Sequence, residues 1–139
     1  MDNITKIKTK SEPFEFQNWD VYRKSVNLVG ICKNAFDQNH SHGVKGLSDQ
    51  LARASLSVPL NIAEGISRFG GREKMNFFRI AKGSTFECVA CVDVMKTLNI
   101  IKQNQYDEII AMYCEVGKML SGLIRSVQER ESKGSVPHA

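Results

Sequence analysis

The stretch LSDQLARASLSVPLNIAEGISRFGGREKMNFFRIAKGSTFECVACVDVMKTL, residues 47–98, decides the fold. Leu47, Leu51, Ala54, Val58, Ile62 and Ile66 recur at intervals of three or four, the spacing that lines one face of an α-helix. Met75, Phe78, Ala81, Thr85, Cys88, Val92 and Met95 repeat the pattern beyond Phe69-Gly70-Gly71, whose glycines supply a tight reversal. The spacing predicts helices over about 47–68 and 72–98. Pro59 falls inside the first of these, where it removes an N–H and crowds the carbonyl of Ser55. A bend is therefore expected, with the Ser55 or Ser57 hydroxyl serving freed backbone groups.

Upstream, Trp19, Tyr22, Val26, Val29 and Phe36, with Cys32 or Ile31 between, predict a first helix with Asn18 as its N-cap. Asp37–Gly46 reads as a polar loop. Downstream, the connector IIKQNQ leads to a last helix over about 106–129, its stripe Ile109, Tyr113, Val116, Leu120, Leu123 and Val127. Leu28, Leu56, Leu60, Phe77 and Ile110 lie beside these stripes and either widen the core or make a subunit interface. Residues 1–17, with three lysines, three acids and Pro13, read as a flexible arm, residues 18–130 as the bundle, and 131–139 as a flexible tail. Four such helices, each ~30–40 Å long at 1.5 Å per residue, give the fold class: all-α, an antiparallel up-down-up-down four-helix bundle.

A chain of 139 residues with 42% hydrophobic and 24% charged residues suits one domain with its own core. It contains no apolar run of about 18 residues to cross a bilayer and no apolar signal-peptide core, so a cytoplasmic protein is expected. The formal charge is +4, and six Lys and Arg against two Glu between Arg53 and Lys82 account for all of it. Arg68, Arg72, Lys74, Arg79 and Lys82 gather around the turn and the start of the third helix, whose free N–H groups also favour an anion. A nucleic-acid backbone is the natural partner for such a cluster, and a solvated positive surface is the plain reading.

If the two central helices fold back about residue 70, Arg53 faces Glu87, Ser57 faces Gly83, Asn61 faces Arg79 and Glu64 faces Asn76. The expected result is a structural polar seam, with Gly83 allowing close approach and Arg53–Glu87 forming a salt bridge. Little chemistry competes with this. Cys88 and Cys91 form one C-x-x-C with neither a second pair nor spaced histidines, so they are expected to pack in the core, and all four cysteines, Cys32 and Cys114 included, are expected to remain thiols. His40, His42 and His138 give no ligand spacing, and Asn3 and Asn39 sit in glycosylation patterns irrelevant to a protein that is not exported. Glu64 lacks a neighbouring histidine or nucleophile. The segment from Gly65 to Arg72 fails as a phosphate loop because Gly71-Arg72 replaces Lys-Ser/Thr. No enzyme activity, cofactor, metal, membrane contact or small-molecule substrate is expected.

Residues Arg53-Ala-Ser-Leu-Ser-Val-Pro-Leu-Asn-Ile-Ala-Glu-Gly65, then Phe78-Arg-Ile-Ala-Lys-Gly-Ser84 and Glu87, resemble the four-helix bundle proteins encoded in intervening sequences of bacterial 23S ribosomal RNA genes. Trp19-x-x-Tyr22 and Gly117-Lys-Met-Leu-Ser-Gly-Leu-Ile also fit, so the likeness spans about 16–127. Val58 stands where Ile is usual, and Cys88 where Leu is commoner. The resemblance implies a left-handed up-down-up-down bundle, a homopentamer, a basic surface suggested to contact nucleic acid, and no established enzyme activity. Related bundles accompany reverse transcriptases of diversity-generating retroelements as accessory subunits that handle RNA. The expected function is thus a non-enzymatic oligomer that binds RNA or DNA. The alternative is a protein-interaction scaffold or accessory subunit without direct nucleic-acid contact.

Overall fold

The computed structural model describes residues 14–38 and 45–134. Most of the predicted arm, most of the polar loop, the end of the tail, and Asn3, Asn39, His40, His42 and His138 lie outside the described residues. A 3-10 turn at Glu15–Asn18 precedes four helices: α1 (Asp20–Gln38), α2 (Lys45–Ser67), α3 (Gly71–Thr97) and α4 (Gln103–Gly134). There is no strand among the described residues, and none of the helices is long and apolar enough to cross a membrane. α1 packs on α2, α2 on α3, α3 on α4 and α4 on α1, so the four surround one core.

The predicted stripes of α2, α3 and α4 face the core, with Leu47, Ile66, Met75 and Leu123 only half-buried. Leu51, Ala54, Val58 and Ile62, then Phe78, Ala81, Thr85, Cys88, Val92 and Met95, then Ile109, Tyr113, Val116 and Leu120 fill the interior. Each large aliphatic side chain removed from water there contributes about 1.5–3 kcal/mol. In α1 the predicted stripe is one residue out of place. Val21, Ser25, Leu28, Cys32 and Ala35 are buried, Val26 is exposed, and Trp19, Tyr22 and Phe36 pack against the core from its margin. The aromatic residues mark the edge because Phe16 and Tyr22 stack edge-on at 5.0 Å, tying the 3-10 turn to the start of α1. Asn18 therefore lies inside that turn rather than capping α1, and its side-chain oxygen accepts from Arg23 Nη2 at 3.1 Å. Across the bundle, Lys24 of α1 pairs with Glu115 of α4 at 3.0 Å, an exposed bridge worth under about 1 kcal/mol.

Buried hydroxyls satisfy themselves on the preceding turn: Ser25 donates to Tyr22 O, Ser55 to Ala52 O and Thr85 to Ala81 O. The Ser55 and Ser57 hydroxyls thus do not take up the role expected beside Pro59, around which α2 is continuous.

The α3–α4 connection is less polar than its sequence suggests. Asn99 takes a left-handed φ of 58° while its N–H bonds to Lys96 O and that of Ile100 to Met95 O at 2.8 Å, the paired bonds of a Schellman stop. Ile100 and Ile101 are then turned inward, both 4% exposed, and close that end of the core. α4 starts at Gln103, where Gln105 Oε1 accepts from Lys102 N at 3.0 Å, and runs through Gly134 into the predicted tail.

Cys32, Cys88 and Cys91 are buried and Cys114 is exposed. Tyr113 OH meets Cys32 Sγ at 3.6 Å inside the core. Burial pushes the Cys88 thiol up to about 12 and raises Cys32 and Cys91. Burial, then the adjoining thiols of Cys32 and Cys88, raises the Tyr113 phenol.

Two outcomes follow from this packing. A Cβ on Gly65 would sit 2.6 Å from the ring of Phe78, itself 2% exposed, whereas one on exposed Gly83 would meet nothing within 4 Å. Urea unfolding should show Gly65→Ala destabilised by about 1–3 kcal/mol and Gly83→Ala stabilised by about 0.5–1 kcal/mol. For the thiols, a chromogenic disulfide reagent at about pH 8 should titrate only Cys114 rapidly until denaturant frees all four. Because the unfolded chain gives up these protons first, their contribution to stability is full below the ordinary thiol value of 9.0 and is lost as pH rises toward the Cys88 value of about 12.

Candidate nucleic-acid interface

The turn at which the cations gather is built by backbone groups seeking partners. α2 ends with Arg68 N bonded to Gly65 O at 3.2 Å, and Lys74 Nζ then reaches back from α3 to Gly65 O at 3.3 Å and Ile66 O at 3.0 Å. A cation on the last carbonyls of a helix satisfies orphan acceptors and opposes the negative end of the dipole. Gly70 opens α3 without a side-chain cap, its O accepting from Lys74 N at 3.0 Å. Ser57 Oγ and Ser84 Oγ, 2.8 Å apart, join the two helices farther along.

Arg68 is also held. Its Nη2 pairs with Glu64 Oε2 at 3.1 Å and its guanidinium lies 4.8 Å above the centroid of the Phe77 ring. Of the five predicted contact residues, Arg68 and Lys74 thus serve the turn itself. Arg72 and Arg79 are exposed and Lys82 is half-buried, and none of these three is ion-paired among the described residues. Arg79 Nη2 has a long contact with Met75 Sδ, 3.9 Å, and Lys82 Nζ lies 6.0 Å from the centroid of the Phe86 ring. Seven residues, nearly two turns, separate Arg72 from Arg79, so both project from the same side of α3, ~10 Å apart.

The start of α3 is not an open anion site. The Glu131 side chain of α4 lies directly against Gly71, and Glu73 stands in the first turn. The protein thus places its own carboxylates where the expectation put an external phosphate.

The polar seam exists, with different partners. Asn61 Nδ2 donates to Ser57 O at 2.8 Å and Ser57 Oγ at 2.9 Å, and Ser57 meets Ser84. Asn61 does not meet Arg79, and Glu64 turns to Arg68 rather than Asn76. The predicted Arg53–Glu87 salt bridge is absent among the described residues: both are exposed, and Arg53 Nη2 donates to Gln50 Oε1 at 3.3 Å. Exposure removes the reason for the pairing, since a solvated charge needs no partner. Gly83 is not the close-approach glycine either; Gly65 is. Sequence reading passes over Lys118 and Arg125 of α4, which rim a groove shared with Lys82. Their distance along the chain from the Arg53–Lys82 cluster hides them. No group of three or more His, Cys, Asp and Glu fit to hold a metal occurs among the described residues.

A family model described as 23S rRNA-intervening sequence protein matches residues 17–122, more than half of the chain. The fold is similar to the crystal structure of a protein of unknown function from the S23 ribosomal protein family of Bacteroides thetaiotaomicron VPI-5482. The TM-score is 0.67 at 23% identity, covering 75% of this chain and 97% of that one, and at that identity the likeness shows the fold alone. No curated protein matches the chain.

The division between structural and free cations has a direct test. In urea unfolding, Lys74→Ala should lose about 1–2 kcal/mol, the worth of charge-assisted bonds to otherwise orphaned carbonyls, while Arg72→Ala should stay within about 0.5 kcal/mol of the parent.

Proposed function

The chain belongs to the 23S rRNA-intervening sequence protein family, and from that premise we propose a non-enzymatic, cytoplasmic homo-oligomer that holds RNA or DNA backbone against α3. The observation that carries the reading is the division among the cations. Arg68 is ion-paired to Glu64 and Lys74 is bound to the last carbonyls of α2, whereas Arg72, Arg79 and Lys82, spread over nearly three turns of α3, have no ionic partner among the described residues. Such a row binds phosphates by releasing counterions and carries no means of reading bases.

The proposed arrangement is antiparallel, up-down-up-down. Lys74 with Ile66, Phe78 with Gly65, and Ser84 with Ser57 recede in step from the Gly70 turn on both sides, which supports it. Assembly, a homopentamer in this reading, is supported by Leu56, Leu60 and Ile80, which remain 48%, 55% and 49% exposed on the outer sides of α2 and α3. Ring symmetry would repeat the cationic row once per subunit and let weak contacts act together. The same exposed apolar residues favour the second reading, a scaffold that binds protein without touching nucleic acid.

Light scattering combined with a salt titration against a structured RNA fragment tests both halves. The expected mass is five times the 15.6 kDa chain. Binding should weaken with salt. Arg72→Ala, Arg79→Ala and Lys82→Ala should each lower the slope of log K against log salt by about one unit for every phosphate the variant no longer neutralises. Binding that ignores salt, or no binding at all, would leave the scaffold.

A further inference from the structure

The groove between α3 and α4 encloses about 900 Å³, against about 230 Å³ for a hollow between α1 and α2 and about 150 Å³ for one between α1 and α4. Its floor is largely apolar and low. Buried Thr85 and Tyr113 with half-buried Val89, Ile110 and Gly117 form it, and the Phe86 side chain, 65% exposed, stands as one wall. Nothing lies within 4 Å of where a Gly117 Cβ would be, so the space above α4 is clear for another backbone. On α4 the groove extends from Ile110 to Arg125, ~22 Å at 1.5 Å per residue. Those dimensions suit a rod of three to four helical turns lying between two existing helices.

Charge specifies the occupant. Lys82, Lys118 and Arg125 rim the groove, none ion-paired among the described residues. Asp93 is the one acid among the lining residues, at the end nearest the Leu98–Lys102 connection, where its carboxylate accepts from Tyr106 OH at 2.7 Å. A ligand for this site needs an apolar stripe to cover Phe86, Val89 and Ile110, and acidic residues flanking the stripe. We propose that the α3–α4 groove is a docking site for an acidic amphipathic helix of a partner protein. The floor distinguishes this occupant from nucleic acid, whose phosphates would gain nothing from Val89 and Ile110. Lys118 and Arg125 belong to this surface alone, so its failure and that of the α3 phosphate row are separable.

The probe is a synthetic helix of about 20 residues with leucines at i, i+3, i+4 and i+7 and glutamates elsewhere, beside a twin carrying lysines for glutamates. Fluorescence anisotropy should show saturable binding of the glutamate peptide and at least about ten-fold weaker binding of the lysine twin. Phe86→Asp and the double variant Lys118→Glu/Arg125→Glu should each weaken it about ten-fold or more, while Arg72→Ala leaves it unchanged. Cys114, which lines the groove and is exposed, should be alkylated more slowly when the peptide is bound. The proposal is overturned if the two peptides bind alike or not at all, or if Phe86→Asp changes the solution mass, marking a contact between copies. It is overturned equally if an RNA fragment competes the peptide away in a manner abolished by Lys118→Glu/Arg125→Glu.

Discussion

The closeness of α2 and α3 at Gly65 is the constraint on which the cationic turn depends. The ring of Phe78 occupies the volume that any other residue at position 65 would need, and Phe78 is itself locked in the core. Interiors at crystal-like density leave no slack for such a clash. Because the backbones approach there, Lys74 reaches the carbonyls of Gly65 and Ile66, and Ser57 reaches Ser84. Moving the helices apart would release both links and leave the last carbonyls of α2 to water.

That constraint sorts the positive charges. A cation one turn into α3 is drawn inward by the unsatisfied end of α2, and one at the end of α2 is folded onto Phe77 and Glu64. Cations on the far side of α3 have no such offer and face solvent. A net charge counted along the chain treats these groups alike; their environments do not.

Helix positions were legible in the sequence wherever large apolar residues recur without interruption. Val58, Ile62, Val92, Ile109 and Val116 leave no other register open, and all are fully buried. α1 misled because its buried face carries Ser25, Cys32 and Ala35 while its margins carry Trp19, Tyr22 and Phe36. Periodicity weighted by size follows the margin. The seam failed at its ends for a related reason. Folding the sequence about residue 70 brought Ser57 to within one position of its true partner, Ser84, but could not reveal that Arg53 and Glu87 lie in water. The role of Lys74 was hidden because a lysine aimed at backbone carbonyls has no side-chain signature. Ile100 and Ile101 read as linker since two residues show no period.

The small side chains that α1 turns inward set a hierarchy of opening. Leu28 is its one large residue among those fully enclosed, whereas α2, α3 and α4 each bury several. Separating α1 exposes fewer fully enclosed apolar side chains than separating any other helix, and local opening free energy follows such surface. Amide protons of α1 should therefore exchange with solvent before those of α2 and α3, the first helix loosening while the turn that carries the cations stays shut.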